Sequence, residues 1–560
     1  MKSVKYVSAF FAVLLLLAGL AGCTEKDITQ FNDGELSVTP DPDRYINVSI
    51  EDDGLCIFYP MQAPDYRYGP TLFTNADGSI DAWFAGPGYN GQWDWIYYRR
   101  SKDGGKTWTP ETVALMGTSN ALDGNSVCDP GVIKIGDYYY LGYTSTIYQE
   151  TGNCAFVARS KNPDGPYEKW NGESWGGAPE PIVYYDEDTD YFGAGEPSFV
   201  VRDGTLYIYI TWITVSYDQY TRVYTADAAS ENWPATMEYK GDAIEHKKCD
   251  SLDIKYVEDF GKFIGIAATD RMTENSKLTF YQSDDGLTFQ LCAEISENTA
   301  VGAHNCGISA RPNGHIRLSD DIYIGYAYGV GSENWANWAT RLQKVTLYQA
   351  DSVQSAVTGR GNDYGEESYT VDSVEYLAGL YADDLRLVAG GDTRTLSVLW
   401  VDGAHGNQAL TDKQKKNMKV TVWDESIATV DQKTLEVTPL KAGFTHITVE
   451  LEHFSYDAAL YVYENAAGEK DKTILRIEPS HSSQFTIPLS YHHSKQIRGM
   501  VYYADGSFEE ISNMRFQIGD SSICTVDNKG FIHVKGVGST EITVKYKGDE
   551  VFKVTVTVTE

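Results

Sequence analysis

The chain has 560 residues and carries 79 acidic against 46 basic side chains, which gives a formal net charge of −33 at pH 7. A chain this acidic repels nucleic-acid phosphates and anionic lipid, so nucleic acid is excluded as the expected partner and a neutral partner or a bound cation is favoured. The length predicts several domains, and the cysteines lack the spacing of a disulfide framework or a zinc site.

The N-terminus has the layout of a bacterial secretion signal. Lys2 and Lys5 precede an apolar stretch, residues 6–22, which is too short and wrongly flanked for a membrane span. Its ending "LAGC" resembles a lipobox, which implies that residues 1–22 are removed and that Cys23 carries a lipid. An ordinary cleaved signal is the alternative.

The residue after the lipobox cysteine implies where the lipoprotein is placed. It is Thr24 and not Asp, which favours the outer membrane, facing the periplasm or the cell surface. Residues 23–50 are then a tether, and the lipid is the only contact with a membrane.

Between residues 51 and 350 the chain repeats one unit of short strands and polar or glycine-bearing turns. Aligned strand entrances recur at intervals of 60, 67, 54 and 56 residues, at Gly69, Asp129, Glu196, Asp250 and Cys306. Five repeats of four-strand size predict a five-bladed β-propeller. The phrase "SKDGGKTW" fits an Asp-box, and "SDDGLTF" is a shortened version, so both are predicted to be turns that fix outer strands.

The first strand of each propeller blade lines the central channel, so side chains at the strand entrances converge. Asp129, Glu196 and Asp250 are therefore expected to meet at one cavity. A strand-entrance residue can also be structural, since Asp-Pro begins many turns and a glutamate can pair with a nearby arginine.

Three motifs resemble glycoside hydrolase family 43: Asp129-Pro130-Gly131-Val132, Gly195-Glu196-Pro197 and Ala303-His304-Asn305. The resemblance implies that Glu196 is the general acid of an inverting hydrolase and that Asp129 raises its pKa and orients it. It also implies that His304 lies beneath the sugar, near a structural calcium, with no cofactor required. The substrate would be a neutral oligo- or polysaccharide.

The chain departs from that family at the first blade, where the catalytic base is expected. This position reads Tyr68-Gly69-Pro70 and has no carboxylate. Asp65, Asp94 and Asp250 are the alternatives for completing an acid–base pair. A second hypothesis is an inactive propeller that binds glycans, and a sialidase or a purely adhesive protein are weaker ones.

Four further residues are candidates for substrate binding. Arg67 and Arg271 flank strand entrances and are candidates for sugar hydroxyls or a carboxylate. Trp93 and Trp212 are candidates for stacking on sugar faces, although packing at the edge of the core accounts for such tryptophans equally well.

The C-terminal part contains two related segments. "DESIATVDQKTLEVTPLKAGFTHITVEL" recurs as "DSSICTVDNKGFIHVKGVGSTEITVKY" with an offset of 96 residues, which aligns Ala428 with Cys524. Alternating apolar residues predict two β-sandwiches, and the phrases resemble bacterial Ig-like domains of group 2. We expect a linker at residues 351–380, sandwiches at 381–465 and 472–560, and a role as spacers or weak adhesion modules.

Overall fold

The computed structural model describes the following residues: 34–51, 54–58, 66–88, 91–146, 152–185, 192–245, 249–329, 338–355, 379–401, 408–464, 472–480, 483–489, 495–503, 507–511 and 513–560. Within them the chain is almost entirely β-structure. None of their helices is long and apolar enough to cross a bilayer.

Among the described residues of the N-terminal part, 34–355, there are 22 strands and one 3₁₀ helix, Trp233–Thr236. In chain order the strands are β1 (Tyr45–Ile50), β2 (Leu55–Phe58), β3 (Tyr68–Thr74), β4 (Ile80–Pro87), β5 (Asp94–Ser101), β6 (Thr112–Leu115), β7 (Cys128–Ile135), β8 (Tyr138–Thr146), β9 (Asn153–Ser160), β10 (Glu168–Lys169), β11 (Gly193–Arg202), β12 (Thr205–Ile213), β13 (Gln219–Asp227), β14 (Glu238–Glu245), β15 (Asp250–Val257), β16 (Lys262–Thr269), β17 (Lys277–Ser283), β18 (Gln290–Ile295), β19 (Ala303–Ile308), β20 (His315–Ile316), β21 (Ile322–Tyr328) and β22 (Ala339–Ala350).

These strands form the five predicted blades. Blades one to four are the consecutive meanders β3–β6, β7–β10, β11–β14 and β15–β18, and blade five has the order β19–β21–β22–β1. The inner strands β3, β7, β11, β15 and β19 contact one another around the central channel. The sequence prediction of a five-bladed propeller is therefore confirmed.

The outermost strand of blade five comes from the N-terminal end of the described chain. Strand β1 pairs antiparallel with β22 from Tyr45↔Ala350 to Ile50↔Val345. The backbone N–H of Ile46 also donates to Gln282 of blade four at 2.7 Å. The tether predicted for residues 23–50 is therefore wrong over β1, because this segment closes the ring and buries apolar side chains.

The two Asp-box segments are turns, as predicted. Between β5 and β6, Asp103 accepts from the backbone N–H of Thr107 at 2.8 Å, and Gly105 N–H donates to Ser101 Oγ at 2.8 Å. Between β17 and β18, Asp285 accepts from the N–H of Leu287 at 2.8 Å in the same way. Both turns lie at the outer strands, away from the channel.

The part of the C-terminal region that the structure describes contains 20 strands and one short helix, Asp412–Asn417. The strands are β23 (Gly379–Ala382), β24 (Leu385–Val388), β25 (Arg394–Thr395), β26 (Val398–Val401), β27 (Gln408–Ala409), β28 (Lys419–Val422), β29 (Ala428–Val430), β30 (Glu436–Pro439), β31 (Gly443–Leu451), β32 (Phe454–Tyr463), β33 (Ile474–Pro479), β34 (Gln484–Pro488), β35 (Lys495–Gln496), β36 (Gly499–Tyr503), β37 (Phe508–Glu510), β38 (Arg515–Ile518), β39 (Cys524–Val526), β40 (Phe531–Val534), β41 (Gly538–Tyr546) and β42 (Asp549–Thr559).

The two C-terminal units share one topology. The sheets β23–β26–β27, β24–β32–β31–β28 and β25–β30–β29 recur, strand for strand, as β33–β36–β37, β34–β42–β41–β38 and β35–β40–β39. Ala428 and Cys524 begin equivalent strands and are both fully buried, as the sequence repeat predicts. Their assignment to the Ig-like family stays a prediction.

The sandwiches pack against the propeller. His446 Nε2 of the first sandwich lies 2.8 Å from the carbonyl oxygen of Ser119, which follows blade one. Lys495 of the second sandwich donates to the carbonyl of Gly172 at 3.0 Å. One apolar core continues from blades one to three into both sandwiches. The sandwiches therefore pack against the side of the propeller, in addition to following it in the chain.

Candidate active site

The site begins with a distortion that all five inner strands share. Each strand has a β-bulge near its start, and one residue there has a positive φ: Gly69 (59°), Asp129 (48°), Glu196 (51°), Ser251 (55°) and Asn305 (35°). This ring of bulge residues differs from the sequence alignment in two blades. Asp250 precedes the ring position Ser251, and Cys306 follows the ring position Asn305. The equivalent residue of each blade is the one with the positive φ at the bulge, whatever its residue type.

Two carboxylates of the ring occupy strained backbone. A left-handed conformation costs a residue other than glycine about 1–2 kcal/mol. Asp129 and Glu196 both adopt it and are both only 6% exposed. They line one cavity of about 20 Å³ together with Gly69 and Ser251, which is room for a single water. The predicted convergence of Asp129 and Glu196 is therefore confirmed.

The side chain of Asn305 lies between these two carboxylates. Its Nδ2 atom donates to Asp129 Oδ1 at 3.2 Å and lies 3.5 Å from Glu196 Oε1. Because one nitrogen lies this close to both oxygens, they are at most about 6.7 Å apart, the limit for three atoms in a line.

The surroundings of Glu196 favour its protonated form. Burial, followed by the neighbouring carboxylates Asp250 and Asp129, raises the pKa of Glu196 well above its usual range. Its Oε2 atom and Asp250 Oδ1 are both buried and accept no hydrogen bond from a donor group in the described part of the chain. The Glu196 and Asp250 side chains are in hydrogen-bonding contact, so a proton on Glu196 has the Asp250 carboxylate as an acceptor.

Asp129 also holds its proton more tightly than an exposed aspartate. Burial, with the charges of Asp94 and Asp250, raises the pKa of Asp129 to about 7. Cys128 Sγ donates to Asp129 Oδ2 at 3.3 Å, which partly offsets the effect of burial. The two ring carboxyls therefore titrate as an interacting pair.

Asp250 forms an ion pair with a nearby arginine. The Arg271 guanidinium contacts Asp250 Oδ2 at 2.7 Å, and the Arg271 side chain is about one-third exposed. Arg271 Nη1 also lies 3.5 Å from His304 Nδ1. The structure therefore brings Arg271, Asp250 and His304 together beside Glu196, and of these contacts the sequence predicted only that Asp250 converges with Glu196.

The surroundings of His304 do not fit the predicted calcium. Ca²⁺ requires six to eight oxygen ligands. His304 is buried between the rings of Tyr68 and Trp338, next to the Arg271 cation. Burial, followed by that cation, lowers the pKa of His304 well below its usual range. Among the residues that the structure describes, no group of three or more His, Cys, Asp or Glu has a metal-binding arrangement.

A further carboxylate lies on the first-blade side of the site. Asp94 accepts from Tyr66 Oη at 2.5 Å and from Ser126 Oγ at 2.9 Å. Burial raises the pKa of Asp94 to about 6. Trp93, the residue before Asp94, is 66% exposed, so its ring is accessible to solvent on the first-blade side of the site.

Two predicted substrate-binding residues lie outside the site. Arg67 is buried and forms a bidentate ion pair with Glu111, at 2.8 and 2.5 Å, so it cannot reach a sugar. Trp212 is 1% exposed and packs between Tyr185 and the Arg222 guanidinium. Both predictions are wrong, because tertiary partners cover these side chains.

Two predicted residues lie outside the part of the chain that the structure describes, and one residue of the site was not predicted. Asp65 and Cys23 lie outside the described residues. Asn305 belongs to the motif Ala303-His304-Asn305, but the sequence alone assigns it no role. The signal that identifies it is its place one residue after His304, at a bulge where Asn tolerates a positive φ.

The propeller resembles solved glycoside hydrolases at low identity. A family 117 glycoside hydrolase produced by the marine bacterium Zobellia galactanivorans is 15% identical, with a TM-score of 0.41, over 55% of this chain and 92% of that one. An α-L-arabinofuranosidase from Lactobacillus brevis is 13% identical, with a TM-score of 0.39, over 54% of this chain and 98% of its own. A family 62 α-L-arabinofuranosidase catalytic domain from Coprinopsis cinerea is 10% identical, with a TM-score of 0.38, over 56% and 99%.

No protein-family model and no curated protein matches the chain. Membership of family 43 therefore stays a prediction. Identities and TM-scores this low carry no conclusion on function, and only the side chains of the channel bear on it.

Proposed function

We propose that the propeller is a glycoside hydrolase that acts on a neutral oligo- or polysaccharide, with Glu196 as the general acid. The observation that supports this is the meeting of carboxyl groups from three consecutive blades: Asp129 and Glu196 line one cavity of the channel, and Asp250 is in contact with Glu196. Glycoside cleavage needs one protonated and one ionised carboxyl next to the scissile bond. Glu196 is the protonated group, since two carboxylates and burial favour its neutral form.

In this mechanism Glu196 gives its proton to the departing glycosidic oxygen. Asp250, neutralised by Arg271, holds that proton in place before transfer. The negative charge that develops on Glu196 as it loses the proton is compensated by the same guanidinium. Arg271 is partly exposed, so it is also positioned to bind a sugar hydroxyl.

The base of an inverting reaction must lie further from Glu196 than Asp129 does. Acid and base of inverting enzymes are about 6.5–9.5 Å apart, so that a water fits between them. The Asp129 and Glu196 oxygens flanking Asn305 are at most about 6.7 Å apart, the lower edge of that range. We therefore assign Asp129 to tuning Glu196 and assign the base to Asp94, on the first-blade side, with Asp65 as the alternative that the sequence offers.

The test is the Glu196→Gln variant, which keeps the shape of the side chain and removes the proton. We expect release of sugar from arabinosides, xylosides and related substrates to fall by at least about a thousandfold while thermal stability is retained. Glu238→Gln, an exposed glutamate of the same blade, is the matched control and should keep full activity. Unchanged turnover in Glu196→Gln would show that Glu196 is not the acid.

A second candidate is a propeller that binds glycans without cleaving them. The observation that favours it is Gly69, which leaves the first-blade ring position without a carboxylate. A Cβ atom at Gly69 would lie 3.7 Å from Asp129 Oδ1, so an Asp side chain has room to begin there. This candidate predicts an inactive wild type that binds sugar and gains hydrolysis in Gly69→Asp.

The lipid anchor at Cys23 is part of the same proposal. A lipoprotein holds the propeller at the outer membrane, where an extracellular or periplasmic glycan is accessible. Expression of the full chain and of Cys23→Ser tests this. The proposal requires the wild type in the membrane fraction and the variant in the soluble fraction, and wild-type protein in the soluble fraction would overturn it.

A further inference from the structure

Asn305 occupies the fifth position of the ring of bulge residues. Its backbone has a φ of 35°, and its side chain is 3% exposed. Asn is one of the few residues other than glycine that adopts this backbone region readily. The bulge therefore points the amide of Asn305 at the channel axis, where the carboxylates of blades two and three arrive.

The orientation of the amide follows from its partners. Nδ2 carries two N–H donors, and it lies 3.2 Å from Asp129 Oδ1 and 3.5 Å from Glu196 Oε1. The opposite orientation would place the amide oxygen against two carboxyl oxygens. Oδ1 of Asn305 is buried and accepts no hydrogen bond from a donor in the described ranges. Within the described ranges, the amide group of Asn305 therefore forms hydrogen bonds through Nδ2 and not through Oδ1.

We propose that Asn305 is a positioning residue whose single amide nitrogen fixes the distance between Asp129 and Glu196 and stabilises the ionised form of Asp129. This inference rests on the proposed hydrolase function. A donor between two buried carboxyls favours the state in which one is ionised and the other keeps its proton. That state is the one in which Glu196 can act as an acid.

Other ionisable groups face the same pair and contribute to its titration. From blade one they are Asp94 and Tyr68, from blade two Cys128, from blade four Asp250 and Arg271, and from blade five His304. Asn305 differs from all of them because it does not titrate. Its removal therefore changes the pair without adding or deleting a charge.

The experiment compares Asn305→Gly with the wild type over a range of pH. Glycine adopts a φ of 35° without strain, so the backbone is retained and only the amide is lost. We expect kcat to fall about tenfold with KM within about twofold, and the acidic limb of the pH profile to move upward by about one pH unit. Asn305→Asp keeps the size of the side chain but replaces the donors with a third carboxyl, and it should lose more activity.

The control is Asn120→Gly, which exchanges the same residue types at a φ of 51° on the exposed surface. Its kcat and pH profile should match the wild type. If Asn305→Gly also keeps the wild-type profile, the positioning role is refuted. A fall in kcat without any shift of the acidic limb refutes it as well, because a purely structural loss would have that form.

A second readout separates this inference from the proposed function. Thermal unfolding of full-length wild type and Asn305→Gly is measured between pH 4 and pH 9. If the amide stabilises an ionised carboxyl, the difference in unfolding temperature grows as pH rises through about 7. This result supports the inference even where no glycoside is hydrolysed, and a difference that does not depend on pH overturns it.

Discussion

Replacing Asp129 by Asn is expected to stabilise the protein above neutral pH and to leave its stability nearly unchanged at pH 4. Burial, with the charges of Asp94 and Asp250, raises the pKa of Asp129 from 3.8 to about 7. The folded protein therefore binds this proton more tightly than the unfolded chain does. The stability contributed by the protonated group is complete below about pH 4 and is lost as pH rises through about 7.

The size of the effect follows from the same shift. Each pKa unit corresponds to about 1.4 kcal/mol, so ionised Asp129 costs about 4 kcal/mol of unfolding free energy once pH exceeds 7. Part of this value belongs to Glu196, because the two carboxyls titrate together. An Asn at this position cannot ionise and tolerates the φ of 48°. This change is a large fraction of the free energy of unfolding of a folded domain, which is usually about 5–15 kcal/mol.

The assay is urea and thermal unfolding of the full chain between pH 4 and pH 9. The gap in unfolding free energy between Asp129→Asn and wild type should open over this range, to several kcal/mol. Asp137→Asn, on the exposed turn after β7, is the control and should differ from wild type by less than about 0.5 kcal/mol at every pH. Equal pH dependence of Asp129→Asn and wild type would refute the argument that burial raises the pKa of Asp129.

Three other predictions concern closure, ion pairing and substrate access. A chain that begins at residue 51 lacks β1 and should lose the cooperative unfolding transition of the propeller, whereas one that begins at residue 34 should keep it in calorimetry. Arg67→Met leaves Glu111 buried without its partner and should destabilise the protein by about 3–5 kcal/mol in urea unfolding, while Arg67→Met with Glu111→Leu should recover most of the loss. Trp93→Ala should raise KM severalfold and leave the unfolding temperature within about 1 °C, because this ring is exposed; an unchanged KM would remove Trp93 from the substrate path.

Local sequence patterns were sufficient for much of the architecture. Repeated strand pairs and turn phrases specify five blades and two related sandwiches, because strand alternation and turn chemistry act over a few residues. The same repeats identified Asp129 and Glu196, since a charged residue at the entrance of an apolar strand has no place in a packed core.

Partners far apart along the chain decided the rest. Strand β1 pairs with β22, about 300 residues later, so its segment could not be distinguished from a tether by its own composition. Arg67 is buried in an ion pair with Glu111, and Trp212 is covered by Tyr185 and Arg222, so neither side chain lies in the site. Residue type alone does not report such burial.

The sequence by itself determined the fold class and two of the carboxylates at the channel, because both follow from local periodicity and repeat spacing. Only the tertiary structure decided which residue of each strand occupies the bulge. That choice depends on backbone φ and on neighbouring blades, and it placed Ser251 and Asn305, not Asp250 and Cys306, in the ring. It also brought the Asn305 amide between two acids that lie 67 residues apart in the chain.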